Sequence, residues 1–335
     1  MKMKILWVHN FPPEVQDAGI FMHQMHCYLS KNGMKIDLLY LGNLRSPKNI
    51  IDAIYKVRKL SKKYDIVHSQ FGSMCGLITS FAKTKKIISI RGSDWHKYNG
   101  PDVVYKIHNF LSRLFTKISL HSYEAIIVMS KRIKDEIKNA KINTGDVLVV
   151  TDPIDLELFR PKDKRESREK YFGGDMEKVY VLFATLRDNN PVKRISLAKE
   201  AIKMAKNHYP NIEIAVATGL PHSEMPDFIS GCDLILSTSY YEGWPNCIKE
   251  GLACGIPFIS LSVSDLDEIA KRRSSCKISK PDPKEIANDI LLCLREQKDK
   301  DLREEVKDMS FERTYKLIDT IYKNTLSDNI NFKKT

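Results

Sequence analysis

Two tandem parallel α/β sheets, each doubly wound, are the fold class this sequence predicts, and three observations carry the prediction. Apolar runs of four to six residues recur along the chain, separated by stretches of helical periodicity. These runs are rich in Ile, Val and Leu with little polar alternation, as in strands covered on both faces. The alternation breaks once, from Thr151-Asp152-Pro153 through the charged stretch 160–170, and then restarts. Repeated strand–helix–strand units build parallel sheets with helices on both faces, so the break separates two such units.

Residues 5–8 form the first strand. The run is too short for a signal-peptide core, has no small-residue cleavage site, and is broken by His9, Asn10 and the Pro12-Pro13 turn. Ile20–Lys31 follows as a helix stopped by Asn32-Gly33. Next come a strand over 36–41 and a basic amphipathic helix over 50–63. Strands at Ile66–Ser69, 87–90, 125–129 and 147–150 then alternate with helices at 72–81, 102–119 and 131–138. After the break, strands at Val179–Ala184, Ile212–Ala217, Leu234–Ser237 and 257–261 alternate with helices at 195–207, Met225–Ser230 and 245–254. A helix at Pro283–Arg295 and one long helix over 302–326 close the chain.

No apolar run approaches the ~20 residues that a membrane span needs, which predicts a chain that works in the cytoplasm. The seven cysteines form no Cys-x-x-Cys pair, which argues for buried thiols in a reducing compartment over a disulfide framework or a zinc site. Charge is unevenly placed. Residues 1–150 hold 24 Lys and Arg against 11 Asp and Glu, whereas 151–335 hold 30 against 31. A basic half suggests an anionic surface or ligand. No aromatic–basic interleaving or nucleic-acid module accompanies it, so nucleic acid is not expected as a partner.

Chemistry concentrates in residues 232–260, which read as a strand, a loop with Glu242 and Gly243, a helix with Glu250, a Gly255–Pro257 turn and a further strand. Pro245 suits the first helical position, where its missing N–H costs nothing. The free N–H groups of the first turn then make a site for an anion such as pyrophosphate. Glu250 lies five residues into the helix, about 7.5 Å along its axis. Two carboxylates so spaced can hold two hydroxyl-bearing parts of one ligand, as when a sugar and a ribose flank a pyrophosphate.

This run resembles the C-terminal signature of retaining glycosyltransferase family 4, the group 1 enzymes of GT-B fold. In that pattern two glutamates stand eight apart around a Gly-x-Pro, followed by a small-residue helix and a second Gly-x-Pro. The resemblance implies two doubly wound Rossmann-like domains facing a central cleft. It puts an acceptor-binding domain at 1–152, a nucleotide-sugar-binding domain at 153–310, and a terminal segment 311–335 that crosses back. It implies that Glu242 contacts the donor sugar and Glu250 the ribose. Backbone around Gly243, Trp244, Pro245, Asn246 and Cys247 would meet phosphate and sugar. Arg187 and Lys193, after the first strand of the second half, resemble the cations that neutralise the departing diphosphate, so that no metal is needed. No Asp-x-Asp element is present to hold one.

The first half follows the family less closely. Its first loop has one glycine, Gly19, in place of a glycine-rich loop. Where the family often has a His after a central strand, this chain has Arg91, with Asp94 three residues on. These three residues are the candidates for the acceptor side. The resemblance implies a nucleotide-diphosphate sugar as donor and a glycan or lipid-linked glycan as acceptor. The bases Lys56, Arg58, Lys59, Lys62 and Lys63, with Lys83, Lys85 and Lys86, suggest peripheral binding to an anionic membrane face. Two other readings stay open: a nucleotide-sugar-binding protein without turnover, and a GT-B sugar epimerase.

Overall fold

The computed structural model describes residues 3–12, 19–142, 144–185, 190–217, 219–296 and 299–327. The chain divides into two units, residues 1–153 with 311–335, and residues 154–310.

The first unit begins with β1 (Lys4–His9), α1 (Ile20–Lys31), β2 (Lys35–Tyr40), α2 (Pro47–Ser61) and β3 (Ile66–Ser69). It continues with α3 (Ser73–Thr79), β4 (Lys85–Ile90), α4 (Val103–Ser119), β5 (Ala125–Val128), α5 (Lys131–Asn139) and β6 (Asp146–Val149). The strands pair in parallel in the order β2-β1-β3-β4-β5-β6. The near-continuous apolar runs explain this: β3 and β5 are buried along their whole length. Helix α2 starts three residues before its apolar stripe, because Ser46 caps Asn49 N–H at 3.2 Å and Pro47 takes the first turn. Its Ala53 and Val57 join a core with Leu6, Val8 and Val67, with Ile50, Ile54 and Leu60 packed against them. The apolar stripe of α2 is therefore core, and the helix offers its bases to solvent.

The second unit holds α6 (Lys164–Tyr171), β7 (Val179–Ala184), α7 (Ile195–Lys206), β8 (Ile212–Ala217), α8 (Met225–Ser230) and β9 (Leu234–Ser237). It ends with α9 (Asn246–Ala253), β10 (Phe258–Leu261), α10 (Leu266–Arg272), β11 (Lys277–Ser279) and α11 (Pro283–Arg295). The sheet order is β11-β10-β9-β7-β8, again all parallel. Val181, Phe183, Leu234, Leu236 and Ile259 on the strands pack with Ala198, Ala201 and Ile202 of α7 and Ile286 and Ile290 of α11.

Two parts of this unit differ from the sequence expectation. The charged stretch after the break is not featureless but carries α6. Asp163 caps Glu166 N–H at 2.9 Å, and Arg168 is buried, donating to Asp233 at 2.7 Å and to the Gly231 carbonyl at 3.0 Å. The long helix expected over 302–326 is broken. Residues Leu302–Glu305 and Lys307–Met309 are 3₁₀ turns, and Ser310 is extended and bridges to Ile154. Arg303 ties the first turn down by donating to the carbonyls of Phe159 (2.6 Å), Ala253 (3.0 Å) and Leu156. The helix proper, α12 (Phe311–Leu326), belongs to the first unit.

A buried polar chain fixes α12 there. Trp7 Nε1–H donates to Tyr322 Oη at 2.8 Å, Tyr322 Oη lies 2.7 Å from His68 Nδ1, and His68 Nε2 lies 2.9 Å from Ser89 Oγ. Indole can only donate, so the tyrosine proton is left for Nδ1 and the His68 proton sits on Nε2. Burial, helped by the nearby Arg91 cation, holds the His68 pKa down to about 3, so the ring stays neutral.

Candidate functional site

In a doubly wound sheet the loops that converge are those at the carboxyl ends of the strands where strand order reverses. In the second unit β7 is flanked by β8 on one side and β9 on the other. The loops after β7 and β9 therefore meet, and they carry Lys193 and Glu242. Lys193 Nζ donates to Glu242 Oε1 at 2.6 Å, and Ser239 Oγ donates to the same oxygen at 2.7 Å. Thr238 Oγ1 donates to the Lys193 carbonyl at 2.7 Å, and Arg194 Nε donates to the Thr238 carbonyl at 2.6 Å. Arg194, in the left-handed region at φ 52, also lays its guanidinium 4.0 Å from the Tyr240 ring centre. The two loops are thus stitched by side chains and by the Tyr240 N–H to Val192 carbonyl bond of 3.0 Å.

Burial acts to lower the Lys193 pKa, but the adjoining Glu242 carboxylate outweighs it and holds the ammonium above the ordinary lysine range. The site is a fixed cation–anion pair, with one carboxylate oxygen committed to Lys193 and Ser239.

Glu250 sits on α9, and its Oε1 lies 3.5 Å from His222 Nε2. His222 begins the 3₁₀ turn His222–Glu224 and packs edge-on to Phe159, ring centres 5.1 Å apart. Hydrogen bonding to Glu250 raises the His222 pKa above its usual value despite burial. Pro245 is the N-cap of α9 at φ −71 and ψ 114, not its first helical residue. The first-turn donors therefore belong to Asn246, Cys247 and Ile248, and no side chain caps them. Asn246 is exposed and Cys247 half-buried, with burial pushing its thiol up to about 12. Trp244 is buried, with the Lys249 ammonium 5.9 Å from its ring centre. The Gly243 carbonyl accepts from Ser264 Oγ at 2.7 Å.

The small residues of α9 have a visible cause. A Cβ on Gly251 would lie 1.7 Å from Ile235 Cδ1, so the helix can approach β9 only through glycine. Gly255, at φ +78, ends the helix: its N–H bonds the Leu252 carbonyl at 3.1 Å while the Ile256 N–H bonds the Gly251 carbonyl at 2.8 Å, a Schellman motif.

Arg187, named from the sequence as the partner of Lys193, lies outside the described residues. The three acceptor-side candidates lie in the first unit. Gly19 stands at φ +73 as the N-cap of α1, and a Cβ there would meet Phe11 at 2.6 Å. Asp94 is fully buried and accepts the N–H groups of Gly72 (2.8 Å), Arg91 (2.9 Å) and Gly92 (2.9 Å). Burial raises its pKa, opposed by those bonds. Its carboxylate is spent on the backbone of two loops. Arg91 pairs with Asp152, donates to the Gln70 carbonyl at 2.9 Å and stacks 4.0 Å from the Phe21 ring centre. Sequence reading missed His222, Ser239, Arg194 and Ser264 as members of the second-unit site. Ser239 lies three residues before Glu242 and Arg194 directly after Lys193, but neither belongs to the recognised pattern, whereas His222 and Ser264 reach the site only through the fold.

Among the described residues no helix is long and apolar enough to cross a membrane, and no cluster of three or more His, Cys, Asp or Glu is placed to hold a metal.

Comparison with known proteins bears on this geometry. Residues 190–310, which include Lys193, Glu242 and Glu250, match the family model described as Glycosyl transferases group 1. TuaC of Bacillus subtilis (strain 168), named as a teichuronic acid biosynthesis glycosyltransferase, is 22% identical over 242 residues. That match covers 66% of this chain and 59% of the relative. The fold is similar to sucrose-phosphate synthase from Thermosynechococcus elongatus, with TM-score 0.78 and 15% identity over 98% of this chain and 100% of that one. It is also similar to Anabaena Alr3699/HepE, solved in complex with UDP and glucose, with TM-score 0.69 and 14% identity over 96% and 99%. Two parallel Rossmann-like sheets in this order are the GT-B fold of those neighbours, and the segment that matches the Glycosyl transferases group 1 model, residues 190–310, is the one that carries Lys193, Glu242 and Glu250.

Proposed function

We propose that this chain is a retaining glycosyltransferase that moves a sugar from a nucleotide-diphosphate donor to a glycan or lipid-linked glycan without a metal. The observation that carries the reading is the Lys193–Glu242 pair beside the uncapped N-terminus of α9, with Glu250 further along the same helix. Lys193 and the N–H groups of Asn246, Cys247 and Ile248 face the diphosphate, Glu242 takes a hydroxyl of the sugar, and Glu250 takes the ribose. Arg187 adds a second cation to the leaving group. In the reaction the bond from the anomeric carbon to phosphate oxygen breaks with its electron pair going to the phosphate. The acceptor oxygen bonds the same face of that carbon, and its proton passes to the departing phosphate. Cations already in place stabilise the charge that develops there.

Residues 1–152 take the acceptor role, with Gly19, Arg91 and Asp94 shaping that side, and 153–310 take the donor. The UDP in Anabaena HepE makes a UDP-sugar the first donor to try, and TuaC supports a cell-surface polysaccharide as the product. The seven free cysteines support a reducing, cytoplasmic setting.

The test is thermal unfolding of the chain with UDP, GDP, ADP or CMP, for wild type and Glu250→Ala. A nucleotide at ~100 times its dissociation constant adds about 2.7 kcal/mol. A shift with one diphosphate that is lost in Glu250→Ala is the expected result. No shift with any of the four overturns the donor site, while a shift without transfer or donor hydrolysis points to a binding protein.

A further inference from the structure

Helix α4 is inside out. Its buried residues are Asn109, Ser112, Thr116 and Ser119. Val104, Ile107, Leu111, Leu114 and Ile118 are exposed, as is Phe110, with Val104 78%, Ile107 58% and Phe110 60% open to solvent. Spacings of three and four put the five aliphatic residues on one stripe, about 20 Å long at 1.5 Å per residue.

The polar side is inside for a reason. Asn109 accepts the Tyr98 N–H at 2.9 Å and donates to the Ser93 and His96 carbonyls at 3.0 and 3.1 Å, while Thr116 Oγ1 accepts the Ser73 N–H at 2.7 Å. A Cβ on Gly72 would meet Thr116 Oγ1 at 2.5 Å, so only small residues fit this contact. The inward face is used up by hydrogen bonds and close packing, and the apolar residues have no place in the core.

Charge says what covers the outer face. The seventeen residues of α4 contain Lys106, Arg113 and Lys117 and no carboxylate; Lys106 is exposed, while half-buried Arg113 donates to the Trp95 carbonyl at 2.8 Å and half-buried Lys117 lies 5.4 Å from the Trp95 ring centre. The unit that carries it has 29 Lys and Arg against 15 Asp and Glu. A second copy would bring no carboxylate to these cations, because α4 has none, whereas paired helices need opposite charges. An anionic lipid surface meets both features, taking the apolar side chains into the acyl boundary and exposed Lys106, with the basic surface of the unit, at the headgroups.

We infer that α4 is a membrane-docking helix that lies in the surface of an anionic bilayer with Ile107, Phe110 and Leu114 inserted. This deepens the reading of a lipid-linked acceptor, and it differs from the sequence expectation that the bases of residues 56–63, with Lys83, Lys85 and Lys86, would hold the protein at the membrane by charge.

The experiment is flotation of the full chain with vesicles of phosphatidylglycerol and phosphatidylcholine in equal parts, against phosphatidylcholine alone, with no donor or acceptor. Wild type is expected to float with the anionic vesicles. Ile107→Ser/Phe110→Ser should partition more than about tenfold less while melting at the same temperature, because it removes only exposed apolar surface. In Phe110→Trp, emission at the new indole should shift to the blue on adding anionic vesicles. Wild type that stays at the bottom overturns the inference, as does a double variant that floats as well as wild type. A chain that is dimeric in sedimentation, becomes monomeric in the double variant and ignores vesicles overturns it in favour of self-association. A chain that floats yet binds no nucleoside diphosphate keeps the inference and removes the donor reading.

Discussion

The carboxylates of the second unit are held differently, and the difference can be measured. Glu242 shares one oxygen between Lys193 and Ser239. Lys193→Ala removes the cation nearest the proposed leaving group and should lower donor turnover by about 10²–10³ when compared at a temperature where both proteins are folded, with some loss of melting temperature because Glu242 keeps only Ser239. Turnover within a few-fold of wild type would show that Lys193 serves only Glu242. Glu250 instead meets His222, whose pKa it raises. A raised pKa means that the folded state binds the proton more tightly. The stabilisation is complete below the ordinary value near 6.5 and fades as pH climbs through the raised value. The melting-temperature gap between wild type and His222→Gln should therefore be widest in mild acid and close in mild alkali; a gap independent of pH would contradict the ion pair. Glu242 and Glu250 stood out in the sequence because they stand eight apart around one Gly-x-Pro and ahead of a second. His222 could not, since it lies in another loop and meets Glu250 only through the packing of α8 and α9.

At the scale of elements, the glycines of α9 set how near the helix comes to β9. Gly251→Ala gains up to ~1 kcal/mol of helix propensity but drives a methyl into Ile235, and overpacking of this kind costs about 1–3 kcal/mol. The variant should melt lower, and adding Ile235→Val, which removes the clashing Cδ1, should restore part of the loss. If the double variant is no better than the single one, the contact is not the cause. Most strands were legible because uninterrupted Ile-Val-Leu runs have few other uses. The elements that escaped notice were those without such a run: charged α6, held by the buried Arg168–Asp233 pair, and the short α10 and β11. The single helix read over 302–326 looked continuous because Leu302 and Val306 fit its spacing. Their side chains are buried beside the Arg303 anchors, whereas α12 belongs to the other unit. Helix α4 shows a deeper limit: periodicity reveals that a helix has two faces without saying which one turns inward.

Across the whole molecule, the chain leaves its first unit after residue 153 and re-enters it at 311. Tyr322 makes that return specific, engaging Trp7 and His68 in the interior. Tyr322→Phe would leave the buried Trp7 N–H and His68 Nδ1 without this partner, at about 1–3 kcal/mol, and should lower the melting temperature of the full chain. An unchanged melting temperature would mean that packing of Tyr28 on Phe311, with ring centres 5.0 Å apart, suffices to seat α12.

This return has a consequence for how the protein is made. Residues leave the ribosome in order, so the second unit, one unbroken segment, has all its parts before the first does. The six strands of the first sheet are complete at residue 149, yet the groove that receives α12 waits for another ~170 residues, on the order of ten seconds or more of synthesis. Through that interval Trp7 and His68 lack their tyrosine, so the first sheet is complete well before the polar chain that anchors α12 can close.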